Sequence, residues 1–320
     1  MKTIPLTPRH AGLAEFAFWL AVASSYLFLP DKLPLVSQIL IMGLFALSLD
    51  IALGYAGILT VGHATFFGMG AYCAGLLARH AWNDPLLGIG AALVVCAIAG
   101  YLLSYLIVRG GDLARLMITI GVGVLLAEIA NRASSLTGGT DGLQGIVMAP
   151  LFGRYEFDLW GHTAFWYAFA VVAIAFLVVR LMLRSPFGLV LRGIHDNRKR
   201  MLALGSPVDA RLRLAYCLSA AFAGVAGALL AQTTQFVGIE SLGFAKSAEI
   251  LIILVVGGAG RLYGGMVGAF VYMTLHDVFA DLDPQFWMFW LGIFLIAAAL
   301  AGRGGIMGLL ARLAPVGRSR

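Results

Sequence analysis

Apolar residues run along this chain in stretches of about 20, the length a helix needs to cross a hydrocarbon core. They recur near 12–30, 35–56, 58–78, 86–108, 116–131, 162–182, 212–236, 245–258, 263–279 and 286–302. Strand-length alternation is absent, which argues against a membrane β-barrel. The pattern predicts an all-α polytopic membrane protein with about ten hydrophobic segments, forming a single membrane-spanning domain over residues 1–320. The stretches near 58–78 and 245–279 are short and rich in Gly, so broken or re-entrant helices are expected there.

Composition excludes the soluble alternatives. Hydrophobic residues make up 61% of the chain and charged residues 12%, against about 25% charged in an ordinary soluble domain. A globule in water cannot hide that much apolar surface. The 40 Gly suit lipid, where they let helices approach closely and let the backbone open beside a cavity. Cys73, Cys96 and Cys217 fall in apolar runs with no metal-like spacing and read as small packing residues.

The net charge of +6 follows from topology and implies no nucleic-acid partner. If the N-terminus is cytoplasmic and every segment crosses, seventeen of the 22 Lys and Arg face the cytoplasm and five face outward. The outer five are Lys32, Arg79, Arg132, Arg154 and Lys246. This asymmetry obeys the positive-inside rule and predicts both termini inside. Ala21-Val22-Ala23 has the form of a signal cleavage site, but Glu15 interrupts the preceding apolar stretch, so an uncleaved first helix is expected.

An internal echo points to a repeat. Residues 56–62 and 259–265 both fit A-G-x-L-x-x-G, and both run on to a Gly-Ala pair, Gly70-Ala71 and Gly268-Ala269, at spacings that differ by two. Each copy lies in a Gly-interrupted segment, one per half, the arrangement of repeat-built transporters with a pathway between the halves. This singles out Gly57, Thr60, Gly62, His63, Gly258, Gly260 and Gly265 as candidate pathway residues. Broken helices direct their N–H ends at the cavity, which suits an anionic group such as a carboxylate.

Asp50, His63, Glu128, Gln232 and Glu249 lie in or near apolar runs, where a polar group needs a cavity or a partner. His63 has Thr60 three residues earlier on one helical face, and either lines a pathway or bridges two helices. Glu128 has Asn131 and Arg132 one turn on to satisfy it. The chain carries no zinc-protease spacing, no G-x-S-x-G elbow and no Ser/Lys dyad, so an enzyme is not expected. Walker A is absent too, so no cofactor is expected in this chain and any ATP would be bound by a partner subunit.

The largest cytoplasmic element spans about 184–211 and includes SPFGLVLRGIHDNRKRMLALG. Ser185-Pro186 can start a helix and Gly205 can end one. The short, basic, amphipathic middle fits a helix on the membrane surface, a helix docked in a partner's groove, or a plain basic loop.

Four stretches together resemble the permeases of branched-chain amino acid ABC importers, specifically the LivM type. They are GYAGILTVGHATFFGMGAY at 54–72, TGGTDGL at 137–143, the stretch 185–230 ending in LSAAFAGVAGALL, and EILIILVVGGAGRLYGGMVGA at 249–269. The resemblance implies an importer in a bacterial inner membrane. It implies a second, LivH-like permease subunit, two cytoplasmic ATP-binding subunits and a periplasmic solute-binding protein as partners. It also assigns Arg192, Asp196, Asn197, Ala203, Leu204 and Gly205 to coupling with the ATPase, and Thr137, Gly138, Gly139 and Asp141 to an outer-loop motif.

The chain departs from the family where an acidic residue and paired alanines usually precede the loop Gly, since Arg198-Lys199-Arg200-Met201 stand there. That departure leaves the charge of the ATPase surface open. Family members also carry urea, short amides and aromatic or organic acids, so the solute stays open. A stand-alone ion-coupled transporter, centred on Asp50, Glu128 or Glu249, is the alternative from another class.

Overall fold

The computed structural model describes residues 8–28, 30–158, 160–301 and 304–308. Lys2, Arg303, Arg312, Arg318, Arg320 and the two termini expected to be cytoplasmic lie outside the described residues. The chain is helical: α1 (Pro8–Phe28), α2 (Leu33–Asp50), α3 (Ala64–His80), α4 (Pro85–Arg109), α5 (Asp112–Arg132), α6 (Ser134–Thr137), α7 (His162–Arg184), α8 (Pro186–Asp196), α9 (Arg198–Ala203), α10 (Val208–Thr234), α11 (Phe244–Gly257), α12 (Gly264–Leu282) and α13 (Trp287–Ala301). Among the described residues the only extended pairings are two isolated bridges, Leu143 with Val237 and Leu151 with Tyr155. Each of the ten apolar segments contains a helix, and among the described residues five helical spans, Pro30–Tyr55, α4, α5, α7 and α10, are long and apolar enough to cross a membrane. The protein is a polytopic membrane protein.

Local chemistry sets the helix starts. Asp84 caps α4, accepting from the Leu86 N–H at 2.8 Å, with Pro85 preorganising the first turn. Pro34 stands in the first turn of α2 and Pro186 in that of α8. The last turn of α2 widens into a π-helical turn, Ile51–Tyr55. Such a bulge leaves backbone groups displaced from the regular ladder and marks functional sites.

Helices α2 and α10 form the centre. Over their most apolar 18 residues, both spans are 78% buried inside the protein, whereas α4 and α5 are only 22% buried. α10 packs on α2, α3 and α4, and α2 also packs on α7 and α12. Leu93, Val94, Ile98, Leu102 and Leu106 point outward along α4, and Leu113, Met117 and Leu125 along α5. An apolar outer face is what lipid or a neighbouring apolar subunit requires.

Glycine makes the central packing this close. A Cβ on Gly227 would fall 1.8 Å from the Phe67 carbonyl oxygen, and one on Gly70 would fall 2.2 Å from that of Gly224. Backbone therefore meets backbone across the α3–α10 contact, as small residues permit between membrane helices. The cysteines are free: Cys96 and Cys217 point their thiols at the carbonyls of Phe66 and Ala97, at 3.3 and 3.2 Å.

Candidate functional site

Both A-G-x-L-x-x-G stretches are breaks between helices, residues 56–63 between α2 and α3 and residues 258–263 between α11 and α12. Residues 57–63 are not helical, so, against expectation, Thr60 and His63 do not share a helical face. The Gly content and the tight approach of Gly62 to α5 favour an irregular path: a Cβ on Gly62 would lie 2.1 Å from the Thr119 carbonyl oxygen.

The two breaks are tied together at one end of the molecule. Asp50, buried at the end of α2, accepts a hydrogen bond from the Gly260 N–H at 2.6 Å. Gly54 lies in the same knot, since a Cβ there would fall 2.4 Å from Gly260 N. Gly265 packs on α2 beside Ala46 and Leu47. Gly258 lies under the backbone of Gly304.

Helix α8 closes the same end. The Arg192 guanidinium sits 5.5 Å from the centre of the Tyr55 ring, a cation–π contact with the π-helical turn. His195 Nδ1 lies 2.8 Å from where a Cβ on Gly57 would stand, and Gly57 has φ +68°, a conformation suited to glycine. Gly188, Leu191 and Ile194 are buried at a spacing of three, so α8 is fastened to the bundle by one face. Of the alternatives open for 185–205, the stretch is helical, and it forms two helices, α8 and α9. Asn197 is extended between them and its side chain caps α9, accepting from the Arg200 N–H at 2.9 Å. An Asn at an N-cap ends one helix as it starts the next. Arg198 pairs with Asp209 at 2.7 Å. Asp196, Leu202 and Leu204 are exposed, Leu204 to 71%, and Gly205 closes the turn at φ +77°. Ala203 is the last residue of α9.

The motif at 137–143 folds on itself. The Thr137 hydroxyl lies 2.5 Å from the Ala130 carbonyl and 2.9 Å from that of Ala133. Gly138 and Gly139 take positive φ, and Asp141 lies exposed at the turn. The neighbouring Leu143 pairs with Val237 through two backbone hydrogen bonds, at 2.8 and 3.1 Å. The motif thus joins the end of α5 to the segment that leads into α11.

Between these two ends lies a cavity of about 360 Å³. Val61, Gly62 and Thr65 from the start of α3 line it, with the α5 face from Ile120 to Asn131 and the stretch Ile239–Ser247. The N-termini of α3 and α11 meet at its wall, where the Ala64 N–H donates to Ser247 Oγ at 2.9 Å. Of the sequence-predicted pathway residues, Gly62 lines this cavity, while Gly57, Thr60, Gly258, Gly260 and Gly265 lie elsewhere. His63 is buried beside it, 3.0 Å from Ser48 Oγ through Nε2 and stacked on Phe45. Glu128 lines it and accepts from Arg132 Nε at 2.7 Å. Glu249 pairs with Lys246 at 2.8 Å, and Gln232 bonds Pro85 and Tyr167. Thr65, Gly123, Glu240 and Ser247 were not legible as site residues. The one sequence signal for them is the small and polar row Thr119, Gly123, Ala127 and Asn131 at a spacing of four along α5.

Comparison with known proteins agrees with this architecture. Residues 33–299 match the family model described as branched-chain amino acid transport system, permease component. The LivM high-affinity branched-chain amino acid transport system permease protein of Salmonella typhimurium is 29% identical over 293 residues, covering 82% of this chain and 67% of that protein. Its Escherichia coli K12 counterpart is 28% identical over 289 residues, with the same coverage. The Escherichia coli K12 LivH permease protein is 24% identical over 253 residues, covering 71% of this chain and 78% of that protein. No solved structure matches. The matched region runs from the start of α2 into α13 and takes in both glycine breaks, the cavity and α8–α9. The chain therefore belongs to the family of branched-chain amino acid transport system permease components, which are transporters and not enzymes.

Proposed function

We propose that this chain is one membrane-spanning subunit of an ATP-driven importer for branched-chain or related amino acids in a bacterial inner membrane. A second, LivH-like permease completes the pore, two cytoplasmic ATP-binding subunits drive it, and a periplasmic binding protein delivers the solute. ATP is bound by those partners. All ten apolar segments lie in the membrane, the short Gly-broken ones included, and both termini face the cytoplasm. The 56–62 and 259–265 copies are equivalent parts of an internal repeat.

The observation that carries this reading is the α8–α9 element. It is fixed to the bundle by Leu191 and Ile194, yet turns Leu189, Leu202 and Leu204 outward, 63%, 53% and 71% exposed. Exposed leucines on a rigid, charged knob suit insertion into a partner's groove. Through Arg192 and His195 the same helix touches the π-helical turn and Gly57, from which the chain runs to the cavity. A push on α8 therefore acts first on a broken segment, and broken segments can move as rigid pieces about their irregular residues. The membrane carboxylates give the ion-coupled alternative little support. Glu128 and Glu249 each carry a basic partner, and Asp50 holds a backbone N–H.

The test is affinity purification of the tagged chain from its own membranes, with Leu204→Asp and Gly205→Pro beside the wild type. We expect an ATPase subunit to co-purify with the wild type. Leu204→Asp should release it. Gly205→Pro should do the same, because proline cannot reach φ +77°. Retention of the ATPase by both variants would remove 192–205 from the coupling role. A chain that purifies alone and moves solute on an ion gradient would remove the ATP-driven reading itself.

A further inference from the structure

The wall of the cavity holds several hydrogen-bond donors with nothing to donate to. Thr65 is 1% exposed, and its hydroxyl has no partner among the described residues. It faces Gly123 on α5, so that a Cβ on Gly123 would stand 3.0 Å from Thr65 Oγ1 and 4.0 Å from the Leu242 carbonyl oxygen. The missing side chain of Gly123 thus leaves a small space between Thr65 and the entry to α11. Ser247 is 3% exposed, and its oxygen already accepts from the Ala64 N–H, which leaves its own proton free.

Helix α11 is 14 residues long and has no side-chain cap, because its N-cap is Gly243. The first backbone N–H groups of a helix have no partner within it and carry the positive end of its dipole. For α11 these belong to Phe244, Ala245 and Lys246, beside Gly243 and Phe244 of the cavity lining. A buried hydroxyl without an acceptor is costly, of the order of 1–3 kcal/mol. A sequence that keeps one beside a free helix N-terminus fits a site that is completed by an acceptor from outside.

Acidic groups lie on the same cavity but further along. Glu240 stands in the turn before α11, and Glu128, five residues beyond Gly123 on α5 and about 7.5 Å along the axis at the usual helical rise, is already paired with Arg132. Apolar side chains, Ile120, Val124, Leu242 and Phe244, fill the rest of the lining. The donors and the acids do not suit one charge. They suit a small solute that is anionic at one point, cationic at another and apolar elsewhere.

We propose that the permease itself recognises its cargo here: Thr65, Ser247 and the N-terminus of α11 receive a carboxylate, and Glu240 receives an ammonium group. This rests on the transporter reading and narrows it, because urea and short amides lack the carboxylate and simple organic acids lack the ammonium. Recognition by a few hydrogen bonds stays weak enough for release, as a pathway requires.

The experiment is ATP-dependent uptake by the co-purified complex in proteoliposomes, with its solute-binding protein added in excess and kept the same for wild type and variants, and with four probes: L-leucine, L-leucinamide, 4-methylpentanoate and urea. Leucine should be carried at least about tenfold better than any of the others, the effect of one unmade charge-assisted hydrogen bond. Thr65→Val should raise the leucine KM by about tenfold and Thr65→Ser should restore it. Glu240→Gln should narrow the gap between leucine and 4-methylpentanoate. A wild-type complex that carries leucinamide or urea as well as leucine overturns the proposal and leaves the transporter reading standing. So does a Thr65→Val complex that retains its ATPase and has the wild-type KM. Absence of uptake of all four probes also overturns it, and co-purification of the ATPase then decides separately whether the transporter reading survives.

Discussion

The two glycine breaks share a sequence pattern and differ in what surrounds them. The first, 56–63, ends at a helix start beside a 360 Å³ cavity, with a free hydroxyl on Thr65 and Gly62 pressed against α5. The second, 258–263, is filled. The Asp50 carboxylate takes the Gly260 N–H, and a Cβ on Gly305 would meet the Val256 carbonyl oxygen at 2.5 Å. A break in a membrane helix exposes backbone groups that must be satisfied, and protein or a solute-bearing cavity can each do it. The motif thus marks where a helix stops. It does not say whether the opened backbone serves transport or is sealed by a neighbouring side chain.

Four substitutions test that contrast, in falling order of expected effect. Gly62→Leu drives a side chain into the Thr119 carbonyl beside the cavity, and uptake should fall to background. Normal uptake by that variant would detach the first break from the pathway. Gly54→Ala strikes the junction of the two breaks, where its Cβ would lie 2.0 Å from Asp50 Oδ1. It should destabilise the protein by about 3 kcal/mol, read as a lower unfolding temperature in detergent.

Asp50→Ala removes the clasp on the second break alone and leaves the Gly260 N–H unpaired. The expected loss is about 2 kcal/mol of stability, largely recovered in Asp50→Asn, which keeps an acceptor oxygen. If Asp50→Ala changed solute preference and left the unfolding temperature alone, the second break would be part of the pathway and the contrast would fail. Ser247→Ala takes the acceptor from the Ala64 N–H at the first break, at a cost of about 1 kcal/mol, the usual value of a helix cap. A zero effect in the same thermal assay would mean that water replaces the hydroxyl and that the helix start is already wet.

Much of the architecture was readable along the chain. Apolar runs long enough for lipid, the excess of Lys and Arg on alternate loops, and clustered Gly at 54–62 and 258–265 mark out helices and breaks, because each is a local demand of chain in hydrocarbon. Ser185-Pro186 and Gly205 likewise bound the α8–α9 element, since cap and turn preferences act over a few residues. The kink at Asn197 is not legible in the sequence, because an Asn inside a helical pattern becomes a cap only when the chain on either side packs in two directions.

What only the tertiary structure decided is which polar groups meet. Asp50 and Gly260 are 210 residues apart, and Ala64 and Ser247 are 183 apart. No local pattern encodes such pairs, because they depend on how α2, α3, α5 and α11 stack through their glycines. The same stacking turned Glu128 and Thr65 toward one cavity and left His63 beside it, held by Ser48. Sequence alone determined that the chain lives in lipid and where its helices stop, because hydrocarbon satisfies no backbone hydrogen bond. The packing of distant segments determined where a solute could be held.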